Sequence, residues 1–313
     1  MSLPKNLRDR LRLPLIAAPM FRVSGPELVI AACRAGVIGA FPTANCRSVD
    51  ELDGWLRRIG AALGPQDAPF CPNLIVRHAG LQEQLDCLLQ HRVEMVITSV
   101  GSPAPVIEPL HDIGCLVLAD VASLRHARKA IEAGADGLVL LSAGAGGQTG
   151  WANGLAFVRA VRAFFDGPVV LAGGIADGQA LWAARVLGCD LGYMGTRFIA
   201  TDESLAAAAY KQMLLDAEFD DVLLSSAFTG LPANMLRPSI LAAGLDPDAL
   251  PDQLGAEMAA ALYGSGADRP RRWRDIWSAG HSVSGVREIG SVAALVERTR
   301  AEYEAARAAS PGL

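Results

Sequence analysis

The stretch VVLAGGIADGQALWAARVLGCDLGYMGT, residues 169–196, decides the fold. It opens on four apolar residues, 169–172, with the length and β-branched character of a buried strand. A turn, Gly173-Gly174-Ile175-Ala176-Asp177-Gly178, leads into 179–187, where apolar residues recur at helical spacing. Gly188 stops that helix, because a left-handed cap favours glycine, and a second apolar run follows at 191–194. Strand, helix and strand joined this tightly make one βαβ unit, so the two strands are parallel.

The same unit repeats toward the N-terminus. Strands are predicted at 15–19, 38–41, 70–76, 95–99, 115–119, 137–141, 169–172 and 191–194. Helical patterns lie at 26–34, 49–62, 81–91, 124–133, 154–165 and 179–187. Gly36, Gly114, Gly134 and Gly188 each stand where a helix passes into a strand. Eight βα units predict an α/β fold closed as a (β/α)8 TIM barrel over residues 1–200. An open dinucleotide-binding sheet would carry G-x-G-x-x-G after its first strand, and this chain does not. The alternation stops at Thr201. Residues 201–274 show helical stretches at 205–218 and 251–262 with Pro- and Gly-rich joints and no convincing strand. They predict a helical insertion, or cap, after strand eight. Residues 275–313 then return to the barrel, with a helix at 292–307 completing its outer ring.

Composition narrows the function. Half of the 313 residues are apolar (51%) and 19% are charged, which describes a globular enzyme. The net charge of −5 and the absence of a basic run beyond 269–274 argue against nucleic acid as a partner. Six cysteines, at 33, 46, 71, 87, 115 and 189, form no C-x-x-C pair, so neither a metal site nor a disulfide framework is expected. The first 13 residues lack a signal-peptide apolar core, and no apolar run reaches about 18 residues. A cytoplasmic location, with no membrane partner, is the expectation.

Barrel enzymes place their chemistry at the C-terminal strand ends, and phosphate sites commonly follow strands seven and eight. Both ends carry glycine here: Gly173 and Gly174 after strand seven, Gly195 and Thr196 after strand eight. Glycine lets the backbone approach an anion with its N–H groups forward, although two tight βα turns would read the same way. A third glycine-rich stretch, Ser142-Ala143-Gly144-Ala145-Gly146-Gly147-Gln148-Thr149-Gly150-Trp151, suits a loop folded over a flat ligand. Asn73 ends a strand and could bind a ligand or cap the next turn. Asp120 could hold a hydroxyl, but a helix cap is favoured. His78, His91, His111 and His126 fall on helical faces or at strand starts and read as structural.

The segments Ala17-Ala18-Pro19-Met20, Pro72-Asn73-Leu74, Ala145-Gly146-Gly147-Gln148-Thr149-Gly150, 172–178, Met194-Gly195-Thr196-Arg197-Phe198 and Trp277-Ser278-Ala279-Gly280 occur in this order along the chain. Together they resemble the nitronate monooxygenase (2-nitropropane dioxygenase) family, whose superfamily includes FMN enoyl reductases and an NADH:quinone reductase. The resemblance implies FMN bound by the barrel. Gly173, Gly174, Gly195 and Thr196 would hold its phosphate, Ala18, Pro19 and Met20 would lie against the ring, and Asn73 would meet the ring's polar edge. Gly147 belongs with these contacts. The insertion would cover the flavin.

One position departs from the family pattern. Members active on nitro compounds typically carry histidine where this chain has Gln148. A carboxamide accepts no proton at neutral pH, although its NH2 still donates to an anionic oxygen. His281, beside the Trp277–Gly280 motif, could replace the base or be satisfied in a loop. The leading expectation is an FMN oxidoreductase that oxidises anionic alkyl nitronates, small molecules already deprotonated, with dioxygen. An NAD(P)H-dependent reductase of quinones or enoyl thioesters is the alternative, and a non-catalytic flavin-binding protein is the third.

Overall fold

The computed structural model describes residues 3–250 and 275–310. Eight parallel strands close into a barrel in chain order: β1 (Leu15–Ala17), β2 (Ile38–Pro42), β3 (Phe70–Ile75), β4 (Met95–Ser99), β5 (Leu116–Val121), β6 (Gly137–Leu141), β7 (Val169–Ala172) and β8 (Leu191–Met194). All eight predicted strands are present, and the α/β TIM-barrel expectation is met. β8 pairs with β1 through Leu15↔Gly192, Ile16↔Tyr193 and Ala17↔Met194, which closes the ring. Gly36, Gly114, Gly134 and Gly188 all take left-handed backbone (φ 88, 77, 97 and 106), the conformation their helix exits require.

The barrel has two apolar layers. Ile16, Ile38, Cys71, Ile97, Leu118 and Val139 fill the lumen, so the barrel is solid and not a pore. Leu7, from the short N-terminal helix Lys5–Arg8, and Leu3, just before it, belong to the same cluster and plug one end. The larger layer lies between the strands and the surrounding helices. The helix Val292–Ala308 packs against Pro26–Ala35 and Gly178–Leu187 and completes the outer ring. Its approach is very close: a Cβ on Gly178 would lie 2.1 Å from the Tyr303 nitrogen and 2.2 Å from the Thr299 oxygen. Trp182 and Tyr303 meet edge to face in the same interface, with ring centroids 5.6 Å apart.

The insertion after β8 differs from its purely helical expectation. It holds the helices Ala208–Asp216 and Arg237–Ala242, but also two antiparallel strands, Val222–Ser225 and Ala233–Leu236. The second strand pairs with Gly147–Gln148 from the loop after β6, making a three-stranded sheet. A two-residue partner remote in sequence leaves no periodic signal, which is why these strands were not expected. The expected helix at 251–262 and the basic run at 269–274 lie outside the described residues. Among the described residues, no helix is long and apolar enough to cross a membrane.

Gly178→Ala should destabilise the protein by about 1–3 kcal/mol, because overpacking at a backbone contact forces two helices apart. Urea denaturation followed by far-UV circular dichroism measures it. An unchanged midpoint would show that the C-terminal helix yields freely.

Candidate active site

The lumen side chains set the floor of the site. One step above the apolar layer, the odd-numbered strands contribute Ala18, Asn73, Asp120 and Ala172. The even-numbered strands contribute Pro42, Ser99, Leu141 and Tyr193. All of them line a cavity of about 730 Å3 at the C-terminal mouth of the barrel. Layering by alternate strands is the geometry that lets a barrel present several different side chains to one ligand.

Most of the predicted residues meet there. Ala18, Pro19 and Met20 line one wall, Asn73 the floor, and Gly173, Gly174, Gly195 and Thr196 the wall above β7 and β8. Asn73 lies inside β3 and caps nothing: Ser99 Oγ donates to its Oδ1 at 3.0 Å, which leaves the NH2 available to a ligand. Gly173 (φ 112) must be glycine, since a Cβ would fall 2.4 Å from Ser142 Oγ and 2.8 Å from the Ala145 nitrogen. Gly174 (φ 78) has open space where a Cβ would stand. None of Gly174, Gly195 and Thr196 commits its backbone N–H to a described residue. The Thr196 hydroxyl accepts from the Gly280 N–H at 2.9 Å and keeps its own proton to donate.

The loop after β6 is locked, not loose. Thr149 Oγ1 donates to the Ser142 carbonyl at 2.5 Å, and Asn234 Nδ2 donates to the carbonyls of Ala143 (2.8 Å) and Ala145 (2.7 Å). Gln148, opposite Ala233, lines the cavity. Gly147 is held opposite Asn234 and does not line it. Nor does His281. Its N–H donates to the Gly144 carbonyl at 3.0 Å and its ring packs on Phe219, centroids 4.7 Å apart. The Trp277–Gly280 segment reaches the cavity beneath the insertion. Tyr210 stacks on Trp277 (4.9 Å, 12°) and donates from its hydroxyl to the Ser278 carbonyl at 2.5 Å.

Asp120 corrects the sequence reading. It lies within β5, and the following helix, Leu124–Glu132, is capped by Ser123, whose side chain accepts from the His126 N–H. The Asp120 carboxyl faces the cavity instead, with Oδ1 buried and without a hydrogen-bond partner. Burial pushes its pKa up to about 7. Tyr193, beside it in the lumen, is raised by its own burial and further by the Asp120 charge. Three of the other four histidines have side-chain partners: His91 pairs with Asp53 (2.8 Å), His111 with Asp136 (3.0 Å), and His78 Nδ1 accepts from the Gly80 N–H. Asp53, Cys87 and His91 cluster closely, but Arg57 holds the carboxylate at 2.7 Å and burial keeps the Cys87 thiol protonated.

An unpaired buried carboxyl makes stability depend on pH. The folded pKa lies above the unfolded value near 3.8, so the native state holds the extra proton between about pH 4 and 7. Stability therefore falls as pH rises through that window and levels above it. Asp120→Asn, which cannot ionise, should flatten this slope and raise the thermal midpoint of ligand-free protein by a few degrees at pH 8. Scanning calorimetry from pH 5 to 8 decides it, and parallel curves for the two proteins would refute the assignment.

A family model described as nitronate monooxygenase matches residues 75–302. The (3aS,4S,5R,7aS)-5-hydroxy-7a-methyl-1-oxo-octahydro-1H-indene-4-carboxyl-CoA dehydrogenase of Mycobacterium tuberculosis is 28% identical over 231 residues, 73% of this chain, and the match spans 64% of that relative's length. A nitronate monooxygenase of Pseudomonas aeruginosa is 27% identical, covering 92% of this chain and 96% of its own. The solved nitroalkane oxidase from Streptomyces ansochromogenes superposes with a TM-score of 0.82 at 28% identity, over 97% of this chain and 99% of that one. The family match takes in the strands from β4 to β8, the insertion and the returning Trp277 segment, well over half of the chain. On that extent of agreement, the chain belongs to the nitronate monooxygenase family.

Proposed function

We propose that this enzyme binds FMN and oxidises anionic alkyl nitronates, with dioxygen as the electron acceptor. The observation that carries this reading is the pairing of one phosphate-sized cradle above β7 and β8 with Gln148 on the cavity wall, where the family pattern has a histidine. The residues present fit a flavin mononucleotide. Gly174 leaves open space, the N–H groups of Gly174, Gly195 and Thr196 are uncommitted, and Asp120 and Asn73 offer unpaired polar atoms at the floor. We assign the phosphate to the glycine turns, the ring to the wall of Ala18, Pro19 and Met20, its polar edge to Asn73, and a ribityl hydroxyl to Asp120. When bound, FMN supplies the electron-accepting ring.

The chain's own residues bind and orient. Gln148 directs its NH2 to a nitronate oxygen and holds the anion without taking a proton. Tyr210 and Trp277 cover the site with a rigid stacked pair and exclude water from the reacting carbon. A nitronate is already deprotonated, so no base is needed. A second reading, a reductase taking hydride from NAD(P)H for a quinone or an enoyl thioester, has support from the relative named for a carboxyl-CoA substrate. Anaerobic mixing of the yellow protein with NADH, NADPH or a nitronate separates the two by which reagent bleaches the flavin.

Two outcomes test the proposal. Heat-released cofactor should run as FMN on chromatography, and Gly174→Val should lower its retention by closing the open space and straining a left-handed backbone. FAD or a colourless protein would refute the cofactor assignment. Wild-type enzyme should oxidise preformed nitronates about 10²–10⁴-fold faster than the parent nitroalkanes, the usual worth of a positioned base. Gln148→His should narrow that gap by raising nitroalkane turnover, and His281→Ala should leave it unchanged. Equal wild-type rates on matched pairs, lost in His281→Ala, would move the catalytic role to His281.

A further inference from the structure

Three non-glycine residues among the described ones have left-handed backbone: Arg22 (φ 60), Arg92 (φ 47) and Val100 (φ 53). Arg92 sits just past the helix Leu81–Gln90, the ordinary place for such a conformation. The other two both line the cavity. Strain of this kind persists only where the surroundings impose it, and it gathers where a site needs it.

At Arg22 the surroundings are explicit. Its N–H donates to Asn45 Oδ1 at 2.8 Å, while Asn45 Nδ2 donates to the carbonyls of Met20 (3.1 Å) and Ser24 (2.9 Å). Ser24 Oγ accepts from the Met20 N–H at 3.0 Å and donates to the Ala18 carbonyl at 3.2 Å. Every one of these bonds uses the backbone of the Ala18–Ser24 turn, and none uses the arginine side chain. Glycine would hold the same turn at no conformational cost. The guanidinium forms no ion pair with a described residue and rests 5.6 Å above the Phe21 ring. It is the only cationic side chain among the described residues that line the cavity. A charge is thus held on a strained backbone, with no described residue to pair it.

We propose that Arg22 is a specificity-determining residue and that the substrate carries a second anionic group, a carboxylate or phosphate, remote from its reacting carbon. This rests on the nitronate reading for the identity of the reacting end. Arg22 follows β1 and Gln148 follows β6, three strands apart around the ring, so the two side chains project from different walls. Val23, Ile199 and Trp277 supply apolar surface to the same cavity. The ligand that fits has an apolar body with an anion at the mouth.

Isothermal titration calorimetry on the purified holoprotein tests this without turnover. The probes are a medium-chain alkyl carboxylate, its methyl ester and the alkyl phosphate of equal length. The anions should bind about tenfold or more tightly than the ester, the scale of a charge-assisted contact, and the preference should shrink with added salt. Arg22→Gly should bring the anions down to the ester's affinity while the thermal midpoint holds or rises, because glycine relieves the left-handed strain. A merely structural arginine would lower the midpoint when replaced. Arg22→Lys should keep part of the preference. Tighter phosphate than carboxylate identifies a phosphorylated substrate, and the reverse a carboxylic acid. Ester bound as tightly as the anions, or a preference surviving in Arg22→Gly, overturns the proposal. Anion preference through Arg22 in a protein inert to nitronates would instead refute the proposed reaction and leave this inference standing.

Discussion

The pairing of β8 with β1 is the contact on which the site hangs. Only three residues of β1 take part, yet this seam joins the two ends of an otherwise open sheet. Ala18 continues it, donating its N–H to the Met194 carbonyl at 2.9 Å. The two turns that leave the seam carry Met20 and Arg22 on one side and Gly195 and Thr196 on the other. Opening the seam would part both walls of the cavity at once. Gly192 belongs to this constraint, since a Cβ there would lie 2.5 Å from the Leu181 side chain and push the covering helix away.

Above the seam, the insertion is fastened by polar contacts at a few backbone positions. Asn234 is 1% exposed and spans two carbonyls of the loop after β6, so its desolvation is compensated in full only with that loop in place. Leu236 donates to the Trp277 carbonyl (2.8 Å) and Ser239 accepts from the Trp277 N–H (2.9 Å). Loop, insertion and returning segment therefore constrain one another. Gln148 inherits its orientation from a strand pair whose partner comes from the insertion.

What the sequence made legible follows from how local the signal was. Barrel strands and their helices announce themselves through period and through glycine exits, and those elements were found nearly to the residue. The helix Ala104–Asp112 was missed because Pro105 and Pro109 read as breakers. Pro105 stands in its first turn, where no N–H is needed, and the helix tolerates Pro109 inside it. Asp120 was noticed and misassigned, because β5 runs to Val121, two residues further than its apolar run. Strand alternation then turns Asp120 inward with Leu118. The turn at Arg22 left no trace in sequence: an arginine flanked by Phe21 and Val23 says nothing of a positive φ, which Asn45 imposes from 23 residues away.

The placement of Val292–Ala308 bears on the order in which the molecule can be built. This helix covers the flanks of both Pro26–Ala35 and Gly178–Leu187, so it shields the two sides of the β8–β1 seam. During synthesis all eight strands emerge before it, and the apolar faces of those two helices stay wet until it docks. Its contacts with Pro26–Ala35 span most of the chain length, the kind of long-range closure that slows folding. The outer layer over the seam can therefore be completed only when the last helix of the barrel is available to dock.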